Sequence, residues 1–117
     1  MKTPDDELLA DLAPRLRLPR ASQTPIGCIG AGFIMDECHL VAYRNAGFNP
    51  VAIASRRADR AGEVAARHGI GRVYGSYQEL LSDSAVEVVD IAVPPDVLLP
   101  VIEEVVQHAD HVRGVLA

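Results

Sequence analysis

The chain has 117 residues, 49% apolar and 23% charged, a composition of globular proteins at a length that holds one domain of ordinary size. Its net charge of −5 argues against a nucleic-acid or anionic-membrane surface, because both need clustered cations. No apolar run approaches the length of a membrane span, and with no tryptophan the core must be aliphatic.

Residues 1–25 read as an N-terminal extension with Pro4, Pro14, Pro19 and Pro25 and mixed charge. Leu8, Leu9, Leu12 and Leu16 form a short apolar stripe in it, open to two readings, a loosely ordered tail or a docking arm. The acidic start lacks the continuous apolar core of a secretory signal. Cys28 and Cys38 form neither a disulfide framework nor a metal-ligating or redox pair, and both read as buried packing residues. The expected compartment is the cytoplasm.

From residue 26 to 117 strands and helices alternate. "PIGCIG" is a buried strand ending in glycine. Ile34, Cys38, Val41 and Ala42 then recur at helical spacing, with Gly47 at the helix end. "PVAIAS" is a second strand, and Ala61, Val64, Ala65 and His68 make a second helical face closed by Gly69. "RVYG" is a short third strand, and Ser76 with Glu79 matches a capping box at a third helix. "VEVVDIAV" is the fourth strand. Leu98, Val101, Ile102, Val105, Val106 and Ala109 make a fourth helical stripe, whose start near Leu98 is set by placing Pro100 in the first turn. "VRGVLA" is a fifth strand. Strands apolar on both faces and alternating with helices give an α/β fold, a doubly wound parallel sheet of Rossmann type with helices on both faces.

The glycine-ended first strand carries the chemistry. A dinucleotide diphosphate needs backbone N–H donors at close range, and a strand end meeting a helix N-terminus supplies them. Gly30 permits the tight turn and Gly32 leaves room for the phosphates. The third small residue of such a loop is replaced by Met35, which implies a helix displaced outward or a rearranged contact. Asp36 and Glu37 suit the helix dipole but would repel phosphate, so they are expected to face solvent. At the end of the second strand, where an acidic residue would hold a ribose 2′-OH, stand Ser55, Arg56 and Arg57. A hydroxyl beside two guanidinium forks suits a 2′-phosphate, which points to NADP with NAD second.

With "IGCIGAGF", "AIASRR", "SYQELL" and "VDIAVPPDV" in order, residues 25–117 resemble the Gfo/Idh/MocA oxidoreductases. The resemblance implies an NAD(P)-binding domain of an enzyme acting on sugars, inositols or related polyols, completed elsewhere by a C-terminal substrate domain. Gly30, Ala31, Gly32, Phe33 and Ile34 match that family's phosphate loop, and Ser55 and Arg56 its ribose-reading position. Val93, Pro94 and Pro95 match the segment that runs beside the cofactor, with Leu98 where the family usually has histidine. The family's Glu-Lys-Pro motif would follow the fifth strand. The sequence ends before it, and Lys2 is the only lysine, so the chain is expected to be a fragment that binds dinucleotide without completing a reaction. No catalytic residue is assigned, since a base for a carbinol proton has no placed candidate.

A non-enzymatic nucleotide-sensing or partner-binding module is the rival reading, and a methyltransferase fits the Pro-Pro segment less well. Asp90 reads as a residue at a wet strand end or an arginine partner. His108 and His111 read as a solvated helix end rather than a metal site, and His39 and His68 as structural or exposed. A fifth strand at the sheet edge would leave an unpaired edge and an uncovered apolar face, so self-association or limited stability in isolation is expected.

Overall fold

Three strands carry apolar residues at successive positions and so must be covered on both faces: β1 (Pro25–Ile29), β2 (Asn49–Ala54) and β4 (Val88–Ile91). The computed structural model describes residues 23–117, so the Leu8–Leu16 stripe lies outside the described residues. In it these strands form the centre of a five-stranded, all-parallel sheet with β3 (Arg72–Tyr74) and β5 (Gly114–Leu116) at its edges. The order β3-β2-β1-β4-β5 reverses direction between β1 and β4, the Rossmann arrangement that opens a crevice at the carboxyl ends of those two strands. The β1–β2 register slips between Ile26 and Gly27, opposite Pro50, whose nitrogen has no hydrogen for the ladder.

Alternation along the strands sorts the core into two clusters. Ala52 and Ala54 of β2 and Val89 and Ile91 of β4 pack with α3 (Tyr77–Leu81) and α4 (Pro95–Val106) through Leu80, Leu81, Val101 and Val105. Cys28 of β1 and Ile53 of β2 pack on the opposite side with Leu40 of α1 (Leu40–Ala46) and Ala61, Val64 and Ala65 of α2 (Ala58–His68). The sheet is doubly wound. Helix ends fall where glycine supplies left-handed backbone, at Gly47 (φ 77°) and Gly69 (φ 71°). Ser76 caps α3 by accepting from the Glu79 N–H at 3.2 Å. No helix among the described residues is long and apolar enough to cross a membrane.

The first helix departs from the expected face. Ile34–His39 is wound as a π-helix before the chain tightens into α1. Wider winding abolishes the 3.6-residue period, so the inward residues are Met35, Asp36 and Leu40. Ile34, Cys38, Val41 and Ala42, expected inside, are exposed, and Cys38 is therefore no packing residue. Met35 has no exposed surface and fills the core against Cys28, Ile53 and Ala61. The rearranged contact foreseen for Met35 is this π-turn.

Helix α4 begins at Pro95 rather than near Leu98, because Pro95 itself occupies the first turn, where its missing N–H costs nothing. Pro100 consequently lies inside the helix, on its exposed side. Val101 and Val105 are buried as expected, while Val106 and Ala109 face outward.

Replacing Met35 by glycine would restore three small residues to the loop sequence and remove a buried side chain. Met35→Gly is expected to lower unfolding stability by about 3–5 kcal/mol in urea titrations. A loss below about 1 kcal/mol would show that the π-turn does not depend on Met35.

Candidate functional site

The crevice at the strand ends is a cleft of about 280 Å³. Its floor is Ile29, Gly30, Ala54 and Ala92, the last residues of β1, β2 and β4 or their immediate successors. Ala92 N–H donates to the Ile29 carbonyl at 2.9 Å and Gly30 N–H to the Ala54 carbonyl at 2.8 Å, so the three strand ends are tied together beneath the cleft.

Gly30 adopts φ +107°, and a Cβ there would sit 2.2 Å from the Ala92 carbonyl oxygen. Both the backbone conformation and the contact with β4 require glycine. Gly32 differs: a Cβ there would meet no atom of the described residues within 4 Å. Protein packing does not call for glycine at 32, and the space beside it is open to a ligand.

The other walls are those read from the sequence. Ser55, Arg56 and Arg57 line the cleft after β2, and Val93 and Pro94 after β4. Ser76, Tyr77 and Gln78, at the start of α3, also line it and were not among the expected residues. Phe33 and Ile34, both exposed, line a shallower hollow beside the cleft with Gly32, Val93 and Pro94. Pro95 borders neither and serves as the first residue of α4. The Ser55 hydroxyl accepts from the Arg57 N–H at 3.2 Å and shapes the turn into α2. The Arg57 guanidinium lies 3.9 Å from Asp59, with both side chains well exposed and the pair therefore screened. Among the described residues no carboxylate pairs with Arg56.

Two carboxylates lie under this surface, and both correct the sequence reading. Asp36, expected at the solvent, is 2% exposed. It is met by Arg60 at 3.3 Å, Arg67 at 3.4 Å and His68 Nε2 at 2.8 Å, all from α2. Glu37 is exposed, as expected. His68 Nδ1 faces the Arg44 guanidinium at 3.1 Å, and arginine can only donate, so Nδ1 accepts and Nε2–H donates to Asp36. Asp90 lies at no wet strand end and pairs with no arginine. It is fully buried, its Oδ2 accepting from Tyr43 at 2.5 Å and from His39 Nδ1 at 2.7 Å. Nor are His108 and His111 a freely solvated pair. His111 Nδ1 donates to the Val86 carbonyl at 2.9 Å, and the two rings stack edge to face.

Burial, and then the Asp90 charge, raises the Cys28 thiol well above its ordinary 9.0. Burial, then the hydrogen bond to Asp90, raises the Tyr43 phenol above its ordinary 10.0. Both groups hold their protons in the folded chain after the unfolded chain has lost them. Their contribution is therefore complete below pH 9.0 and falls as pH rises through the alkaline range. Urea midpoints are expected to drop between about pH 9 and 11, less steeply in Tyr43→Phe. A midpoint constant across that range would contradict the burial of both groups.

The two loop glycines are expected to separate by stability. Gly30→Ala should cost at least about 2 kcal/mol, from positive φ and the clash with Ala92. Gly32→Ala should stay within about 1 kcal/mol of the unmodified chain. Equal losses in urea titrations would refute the contrast.

Residues 25–116 match the Gfo/Idh/MocA oxidoreductase family model, described by its NAD-binding Rossmann fold. An uncharacterized oxidoreductase of Rhizobium meliloti is 48% identical over 69 residues, 58% of this chain and 21% of that protein. A levoglucosan dehydrogenase solved with NADH and levoglucosan superposes with a TM-score of 0.67 at 25% identity, over 79% of this chain and 27% of that one. The 3-ketoreductase KijD10 of Actinomadura kijaniata, a Y186F mutant solved with TDP-benzene and NADP, gives 0.68 at 30% identity, over 79% and 28%. The chain thus spans between a fifth and a third of the length of these proteins. It belongs to the Gfo/Idh/MocA oxidoreductases and forms their NAD-binding Rossmann domain.

Proposed function

We propose that the cleft holds an NAD(P) dinucleotide and that the chain is the cofactor domain of an oxidoreductase acting on CH–OH groups of a sugar, inositol or related polyol. The observation that carries the reading is the open Gly32 beside the constrained Gly30, a loop whose second glycine answers to no neighbour among the described residues. In this reading the N–H groups of the loop after Gly30 face the diphosphate, with Phe33 and Ile34 flanking it. Ser55, Arg56 and Arg57 take the adenosine ribose, and Val93 and Pro94 run toward the nicotinamide. A nicotinamide bound there supplies hydride transfer. Two exposed guanidinium groups with no acidic neighbour closer than 3.9 Å among the described residues favour the 2′-phosphate of NADP over NAD.

Among the described residues the cleft lining holds no carboxylate, histidine or lysine but does hold Tyr77, and in this reading the base for the substrate hydroxyl comes from outside it. The substrate is engaged only with a second domain, and this chain binds cofactor without turnover. The same lining favours the second reading, a nucleotide-sensing or partner-binding module without catalysis. The exposed Val115 and Leu116 on edge strand β5 give self-association a surface.

Calorimetric titration is expected to show NADPH binding more tightly than NADH. Arg56→Ala with Arg57→Ala should weaken NADPH by about tenfold or more and leave NADH nearly unchanged. Gly32→Ala should weaken both cofactors. Failure of either dinucleotide to bind the unmodified chain would refute the site, and turnover of a polyol by this chain would refute the division of labour.

A further inference from the structure

The loop between β1 and the π-turn makes its donors available only if its carbonyls are engaged elsewhere. Each trans peptide points its C=O and the next N–H in opposite directions, so the partner of a carbonyl fixes where the following N–H aims. Two successive carbonyls here have partners. The Gly32 carbonyl accepts from the Asp36 N–H at 3.0 Å, an ordinary helical contact. The Ala31 carbonyl accepts from Arg60 Nε at 2.9 Å, a side chain that reaches from α2, 29 residues away. No protein acceptor meets the Gly32 or Phe33 N–H among the described residues.

Arg60 is held for this task. Its other nitrogens meet Asp36 at 3.3 Å and Glu63 at 3.8 Å, so the planar guanidinium spans the loop carbonyl and a buried carboxylate at once. Asp36 is in turn fixed by Arg67 and His68. Arg60 lies three residues beyond Arg57, and the same turn of chain therefore carries the ribose wall and the loop clamp.

We propose that Arg60 is a positioning residue for dinucleotide binding. By holding the Ala31 carbonyl it keeps the Ala31–Gly32 peptide turned so that the Gly32 N–H serves the diphosphate. Released, that peptide can rotate and present a carbonyl oxygen to phosphate oxygens. The proposal rests on reading the cleft as the dinucleotide site. Arg67 is the internal control, because it shares Asp36 with Arg60 and makes no bond to the loop.

The test is NADPH and NADH titration of the unmodified chain and of R60M, R60K and R67M, with the Gly32 amide followed by ¹⁵N–¹H NMR before cofactor is added. R60M is expected to weaken both cofactors by roughly tenfold and to shift the Gly32 amide. R60K, which keeps the charge and loses the fork, should recover part of the affinity and remain about threefold weak. R67M should change affinity by less than about twofold and leave the Gly32 amide in place. Equal losses in R60M and R67M would overturn the proposal in favour of a general charge effect. If R60M does not fold, R60K decides, and full affinity in R60K overturns it. An unmodified chain that binds neither dinucleotide overturns the site reading itself, whereas binding undiminished in R60M overturns only the role of Arg60.

Discussion

A carboxylate removed from water must find cations or donors, and Asp36 is almost wholly removed. Its three partners come from one helix, so α2 cannot shift relative to the π-turn without stranding a buried charge. Leaving such a group without its cations and donors costs about 3–5 kcal/mol in proteins generally, which makes the set a stiff constraint on relative position. The consequence reaches the cleft at two places. Helix α2 begins directly after Arg57, and the π-turn begins directly after the glycine loop. The Arg44 contact with His68 Nδ1 extends the cluster to α1.

Asp90 ties the other side of the same helical stretch. His39 ends the π-turn and Tyr43 lies one turn further on, and both reach the carboxylate in the middle of β4. With Asp36 engaged to α2 and His39 and Tyr43 engaged to β4, the stretch is fixed in rotation as well as in position. Met35 faces inward as part of that rotation. The remaining Asp90 oxygen has no partner among the described residues and lies in the interior, and burial followed by the Asp90 charge raises the Cys28 thiol.

The strands were legible because a parallel sheet demands residues apolar on both faces, and "GCI", "AIA" and "VVDI" satisfy that without reference to anything distant. Helix ends at Gly47 and Gly69 were legible for a local reason as well. What failed were inferences needing a register or a partner. The Ile34–Ala42 stripe assumed 3.6 residues per turn across a π-turn, which no periodicity count reveals. Asp36 looked like a solvent residue because its partners lie 24 to 32 residues away and become visible only when α2 folds back. The cleft walls at Gly30 and Ser55–Arg57 were readable from strand ends, and Val93–Pro94 from the family resemblance. Arg60 was not, since an arginine in the first turn of a helix ordinarily faces water.

The chain carries −5 overall, yet the proposed ligand is a polyanion, and the distribution of charge reconciles the two. Residues 55–68 hold Arg56, Arg57, Arg60 and Arg67 against Asp59 and Glu63, a local excess of two positive charges with the histidine neutral. One acidic charge, Asp36, is drawn into the same region and buried beneath it. Buried, it organises Arg60 and Arg67, while Arg56 and Arg57 stay exposed at the cleft wall. Potential at a cleft follows the charges nearest to it and falls off within about 8–10 Å in salt, so the net charge of the chain says little about this one. An acidic residue inside the proposed phosphate-binding region is therefore no contradiction here, because its negative charge holds arginines rather than facing the ligand.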